Sequence, residues 1–168
     1  MSFIESIKGA LPDYAKDTKL NLDAVLERST LDKDVAYGCA VAALAATGNG
    51  KVLAVMLADA PVHAESAMTA ASIMAQNNVW YPYVEMAGDE LLKGLPAQLR
   101  MNAIATHGGT TEENFEAFSL AASIVGKCHF CVKAHYDTLK KKGYSLDQLR
   151  DIGRIASVMN SVAKVLNS

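Results

Sequence analysis

Apolar residues recur along this chain at helical spacing, and period-two runs of β-branched residues are absent. Alanine, leucine and methionine are abundant, as suits helices. Leu11-Pro12-Asp13 predicts the start of a first substantial helix, with proline near its first position, running to about Arg28. A second is expected over about 32–47, stopping at Gly48-Asn49-Gly50, and a third over about 51–58, before Pro61. A fourth, over about 62–77, carries Ala67, Ala70, Ala71 and Met74 on one stripe. Trp80-Tyr81-Pro82-Tyr83 then reads as an aromatic connector. Short helices or turns are expected around Gly88-Asp89 and Gly94-Leu95-Pro96, and a helix over about 97–106 is broken by His107-Gly108-Gly109.

The last third is the most clearly punctuated. Thr110-Thr111-Glu112-Glu113 reads as a capping box, opening a helix that ends at Gly126. The next helix is expected from about Lys127-Cys128 to Lys142, with Gly143 as its stop. Lys140, Lys141 and Lys142 sit at its negative end. Ser145-Leu146-Asp147-Gln148 is a further capping box, opening a final helix to about Leu166. No repeat, low-complexity tract or linker interrupts this pattern, so residues 1–168 are expected to form a single all-α domain.

Length and charge narrow the classes. The 168 residues can bury a real core. A net charge of −2 and a pI of about 6.1 give no polyanion-binding surface, so nucleic acid is not an expected partner. The apolar fraction of 51% suits either a subunit interface covering part of the surface or a well-packed monomer. The longest uncharged run, Tyr37 to Gly50, is too short to span a bilayer, so no membrane partner is expected. The N-terminus has Glu5 and no basic stretch before an apolar one, unlike a signal peptide. A cytoplasmic location follows as the expectation. Thiols stay reduced there, which makes a purely structural disulfide the least expected use of a cysteine pair.

Such a pair stands at Cys128-His129-Phe130-Cys131, with His135 four residues on. A helix start supplies exposed N–H groups and a positive dipole end, and both stabilise a thiolate. Residues three apart on a helix are neighbours, so the two sulfurs can bond, and His135 falls on the same face. A histidine there can take and return a proton. Metal binding is the competing use. Zinc needs three or four ligands, and the remaining cysteine, Cys39, lies far off in an apolar helix and reads as core. Haem attachment is excluded because Val132, not histidine, follows the second cysteine. Thioredoxin-like use expects a preceding strand, and none is legible. His63 and His107 read as surface or loop residues.

Glu116 stands twelve positions before Cys128 and completes a Glu-x11-Cys-x-x-Cys-x3-His pattern. Phe115 and Phe118 flank it, and a carboxylate buried among them needs a partner. With this pattern the chain resembles the alkyl hydroperoxide reductase D (AhpD) family of the carboxymuconolactone-decarboxylase-like superfamily. Residues 10–17 with Lys19-Leu20-Asn21-Leu22, Met74 with Asn77-Asn78-Val79 and Tyr81, and Leu99-Arg100-Met101-Asn102 extend the likeness over nearly the whole chain. The resemblance implies an AhpD-like helical fold, a homotrimer and a redox-active Cys128–Cys131 disulfide with no tightly bound cofactor. It also implies reduction of an oxidised AhpC-type peroxiredoxin. The electrons would come from dihydrolipoyl groups on the acyltransferase of a 2-oxoacid dehydrogenase complex, and weak direct peroxidase activity would accompany this.

Carried onto this chain, the resemblance makes Cys131 the attacking thiol, Cys128 the resolving one, and Glu116 with His135 a proton relay. Dipole placement alone favours Cys128 as the attacker. One position departs from the family pattern: Phe130 stands where the relay has a further histidine, and His129 lies one residue earlier, about 100° away on a helix. Two other readings compete. A decarboxylase-like enzyme would use His135 and Glu116 as acid and base, and a zinc-stabilised helical module would need no chemistry at all.

Overall fold

The computed structural model describes residues 1–167. Its elements are helices: α1 Phe3–Ala10, α2 Lys16–Leu26, α3 Lys33–Thr47, α4 Gly50–Ala58, α5 Ala64–Ala87, α6 Glu90–Lys93, α7 Ala103–Thr106, α8 Glu112–Gly126, α9 His129–Lys141 and α10 Leu146–Val165. Two 3₁₀ turns, Asp13–Ala15 and His107–Gly109, precede α2 and follow α7. Among the described residues, no helix is long and apolar enough to cross a membrane.

α3 lies at the centre. From Val35 onward its residues are apolar or small on every side, and Val35, Ala36 and Gly38 through Leu44 are buried. A helix apolar all round is stable only when neighbours surround it, and α5, α8 and α10 pack against it. Gly38 sets the α3–α8 spacing, because a Cβ there would come within 2.3 Å of the Phe118 ring. The amphipathic α10 closes the core with Ile152, Ile155, Met159 and Val162. Ser145 and Gln148 form its capping box as the sequence predicts.

Four expectations need correction. Residues 3–10, which the sequence pattern does not mark, are helical: Ser2 and Glu5 form a capping box for α1, and Phe3, Ile4 and Ile7 bury its inner face. The fourth helix does not stop at Asn77. α5 runs through Trp80-Tyr81-Pro82-Tyr83 and ends at Gly88, in a left-handed conformation. Asn77 and Asn78 look like a helix end in sequence, but both are held in tertiary contacts. Asn77 is buried, and Asn78 donates to the Ala122 carbonyl at 3.3 Å.

The helix expected over 97–106 shrinks to α7, because Gln98 takes a positive φ of 54° that a helix cannot include. Finally, the cap of α8 is Thr111, whose hydroxyl accepts the Asn114 N–H; Glu113 forms no box with it.

Candidate active site

α8 and α9 are joined by two residues and run antiparallel. Lys127 ends α8 in the left-handed region (φ 55°), and the Cys128 N–H reaches back to the Ser123 carbonyl. Gly126, just before, is glycine for a different reason: a Cβ would come within 2.2 Å of Asn78 Nδ2. At the far end Lys142 pairs with Glu112 at 2.7 Å. This hairpin leaves Cys128 as the N-cap of α9, one residue later than the sequence suggests. Its sulfur accepts the Cys131 N–H at 3.2 Å.

Cys128 and Cys131 are bonded as a disulfide, with Cα atoms 5.3 Å apart. Both are buried, at 0% and 3% exposure. The Cys128 sulfur rests 3.9 Å from the Asn77 carbonyl oxygen on α5. His135, two turns along α9, places Nδ1 2.7 Å from Glu116 Oε2 on α8. That distance fits an N–H donating to the carboxylate, which fixes the ring. Nε2 meets the Met74 sulfur at 3.1 Å, and a thioether is a weak acceptor. This nitrogen is therefore the one that remains able to exchange a proton.

The four sequence-predicted residues thus gather on the α5–α8–α9 face, with one qualification. His135 stands one helical turn beyond Cys131 on α9, but its imidazole bonds to Glu116 and Met74 rather than to either sulfur. Sequence reasoning missed Met74 as the partner of His135 and the Asn77 carbonyl as the neighbour of Cys128. The signal was present: Met74 and Asn77 are three apart, on the stripe of α5 that faces the motif.

The two residues between the cysteines point outward. His129 is 85% exposed, and its Nδ1 lies 3.8 Å from Glu85. Phe130 stacks on Tyr81 with ring centroids 4.2 Å apart. Neither touches the Glu116–His135 pair. Phe130 instead forms one wall of a groove of about 940 Å³, shared with Trp80, Tyr81, Leu92 and Leu95. Cys39 is fully buried, and desolvation pushes its thiol far above the usual range. His63 and His107 lie beside Phe118 and Phe115, away from the disulfide. Among the described residues, no group of three or more His, Cys, Asp or Glu gathers to hold a metal.

The site is that of an all-helical protein in which a bonded, buried cysteine pair caps a helix that also carries a carboxylate-oriented histidine. The carboxymuconolactone decarboxylase family matches residues 90–168. The alkyl hydroperoxide reductase AhpD of Rhodospirillum centenum is 42% identical over 98% of this chain and 91% of its own. That of Anaeromyxobacter sp. strain K is 40% identical over 97% and 90%, and that of Coxiella burnetii strain Dugway 39% over 96% of each. The chain belongs to the alkyl hydroperoxide reductase AhpD family.

Proposed function

We propose that this chain is a thiol–disulfide oxidoreductase of peroxide defence that reduces an oxidised AhpC-type peroxiredoxin with electrons from dihydrolipoyl groups. The observation that carries this reading is the Cys128–Cys131 disulfide at the start of α9, beside the Glu116–His135 pair. In the reduced chain, the Cys131 thiolate attacks the peroxiredoxin disulfide. One peroxiredoxin sulfur leaves as a thiolate and takes a proton. Cys128 then attacks Cys131, releasing the second peroxiredoxin thiolate and closing the Cys128–Cys131 disulfide. This order is the one the family resemblance implies; in the bonded state both sulfurs are buried. A dihydrolipoyl group on the acyltransferase of a 2-oxoacid dehydrogenase complex reverses the chemistry: two thiols become a disulfide, and the chain regains its dithiol.

With a hydroperoxide as oxidant, Cys131 takes the terminal oxygen to become a sulfenic acid, and an alcohol leaves. Cys128 then closes the disulfide and water is lost. Glu116 and His135 supply and accept the protons these steps move. The groove beside Phe130 offers an apolar wall for the incoming donor. Exposed Leu91, Leu95 and Met86 support burial of the neighbouring segment between subunits of a homotrimer, and the site chemistry suits a reducing cytoplasm. The acid–base alternative needs no second cysteine, so the bonded pair favours redox chemistry.

The test couples NADH, dihydrolipoamide dehydrogenase and lipoamide to the chain and a peroxide, with and without the peroxiredoxin. NADH consumption that requires the chain and rises with the peroxiredoxin is expected. Consumption independent of the chain would overturn the reading.

A further inference from the structure

His135 is carried by α9 but held by two other helices. Glu116 Oε2 on α8 lies 2.7 Å from its Nδ1, and the Met74 sulfur on α5 lies 3.1 Å from its Nε2. Met74 is 1% exposed and belongs to the buried stripe of α5 with Ala67, Ala70, Ala71 and Asn77, so its side chain is fixed by the core. Ordinary sulfur–aromatic packing leaves the sulfur about 5 Å from the ring, often at its edge. Here the sulfur is directed at a single nitrogen.

A thioether sulfur accepts hydrogen bonds weakly and cannot donate one. If Nδ1 held the only ring proton, Nε2 would present a lone pair to a sulfur lone pair. An acceptor would then face an acceptor, and neither would be satisfied. A proton on Nε2 removes the conflict: Nε2–H donates to the sulfur while Nδ1–H donates to the carboxylate. We infer that Met74 is a positioning residue for the disulfide chemistry: its sulfur holds His135 with a proton on Nε2, so that the histidine rests in its proton-donating form. This rests on the redox reading above, in which Glu116 and His135 exchange the protons. Met74 acts through the imidazole alone.

The charges around the ring agree with this. α8 faces the imidazole with the Glu116 carboxylate, whose charge a cationic ring neutralises. α5 faces it with Met74, which carries none. Among the described residues, no other helix, α10 included, brings a charged group into hydrogen-bond or ion-pair contact with the ring. Within α9 the titratable neighbour is Cys131, one turn earlier, which is uncharged while bonded to Cys128.

Replacing the thioether separates this role from packing. Leucine nearly conserves the volume and removes the acceptor; glutamine keeps the length and returns an acceptor through its side-chain carbonyl. The experiment follows reduction of the disulfide by dihydrolipoamide across pH in the wild-type chain, Met74→Leu and Met74→Gln, corrected for the donor's thiolate fraction. Met74→Leu is expected to be about two- to ten-fold slower on the alkaline side of neutrality, and to approach the wild-type rate as acid supplies the missing proton. Met74→Gln should restore the wild-type profile. A Met74→Leu rate equal to wild type throughout, or a loss uniform across pH, would overturn the inference while leaving the proposed function standing. Nitrogen NMR of the oxidised wild type gives a check that needs neither turnover nor a variant: hydrogen on His135 Nε2 near neutral pH is expected, and a bare Nε2 refutes the assignment. A wild-type chain inert to dihydrolipoamide would instead overturn the function, and the role of Met74 with it.

Discussion

Replacing Gly126 by alanine tests whether the α5–α8 contact above the disulfide is as close as it stands. The new Cβ would lie 2.2 Å from Asn78 Nδ2, 2.6 Å from Cγ and 2.9 Å from Cβ. Rotating the Asn78 side chain moves the first two atoms but not its own Cβ, so the helices must also separate slightly. Overpacking of this kind costs about 1–3 kcal/mol. Rotation also breaks the Asn78–Ala122 hydrogen bond, worth about 1 kcal/mol. Alanine returns up to about 1 kcal/mol of helix propensity, less at a helix end.

The net expectation is a loss of about 1–3 kcal/mol, read as a lower urea midpoint at unchanged slope. A double-mutant cycle with Asn78→Ala isolates the cause, since that change removes the two nearest atoms. The two substitutions should couple by about 1 kcal/mol or more. A Gly126→Ala chain as stable as the wild type, or strictly additive substitutions, would refute the argument.

Three further outcomes follow from the site and the core. Glu116→Gln removes the charge that orients His135, and should slow disulfide reduction by dihydrolipoamide about a hundred-fold or more while costing only about 1–2 kcal/mol of stability; a rate within about two-fold of wild type would count against the pair. Peroxide should abolish labelling of Cys128 and Cys131, while Cys39 labels only after denaturation in either state; unchanged labelling would exclude oxidation of the pair. For Asp151, burial works to raise the pKa, but hydrogen bonds from Thr30 and Arg154 together hold it below the ordinary carboxylate range. Its contribution is therefore fully present above the unfolded value of about 3.9 and is lost as pH falls through the lower folded value. The stability gap between wild type and Asp151→Asn, followed by urea titration, should shrink below about pH 4; a constant gap would contradict the assignment.

The parts of the fold legible in sequence were those marked by local chemistry. Ser145 with Gln148, Gly48, and the break after Gly126 all act within a few residues, and each ends or starts a helix where expected. The misread parts depend on distant neighbours. Asn77 and Pro82 look like a helix end until α8 and α9 are packed against α5. Gln98 gives no sign in sequence of its left-handed backbone. At the site, the Glu116–His135 contact follows from a motif, whereas the Met74 sulfur on His135 and the Phe130–Tyr81 stack need the third helix in place. Gly126 was read correctly as a terminus, but its physical reason, room for Asn78, is visible only in three dimensions.

One atom, Cys128 Sγ, both caps α9 and belongs to the disulfide. Those two duties are thermodynamically linked. Once the S–S bond is cut, the Cys128 sulfur is free to turn toward the Cys131 N–H, and any strengthening of that bond on reduction tightens the first turn of α9. By the same cycle, every increment of free energy that the helix gains on reduction favours the dithiol over the disulfide. About 1.4 kcal/mol of such preference raises the reduction potential by about 30 mV. The folding of one helix turn thereby becomes a setting for how readily the protein takes electrons, and how readily it gives them up.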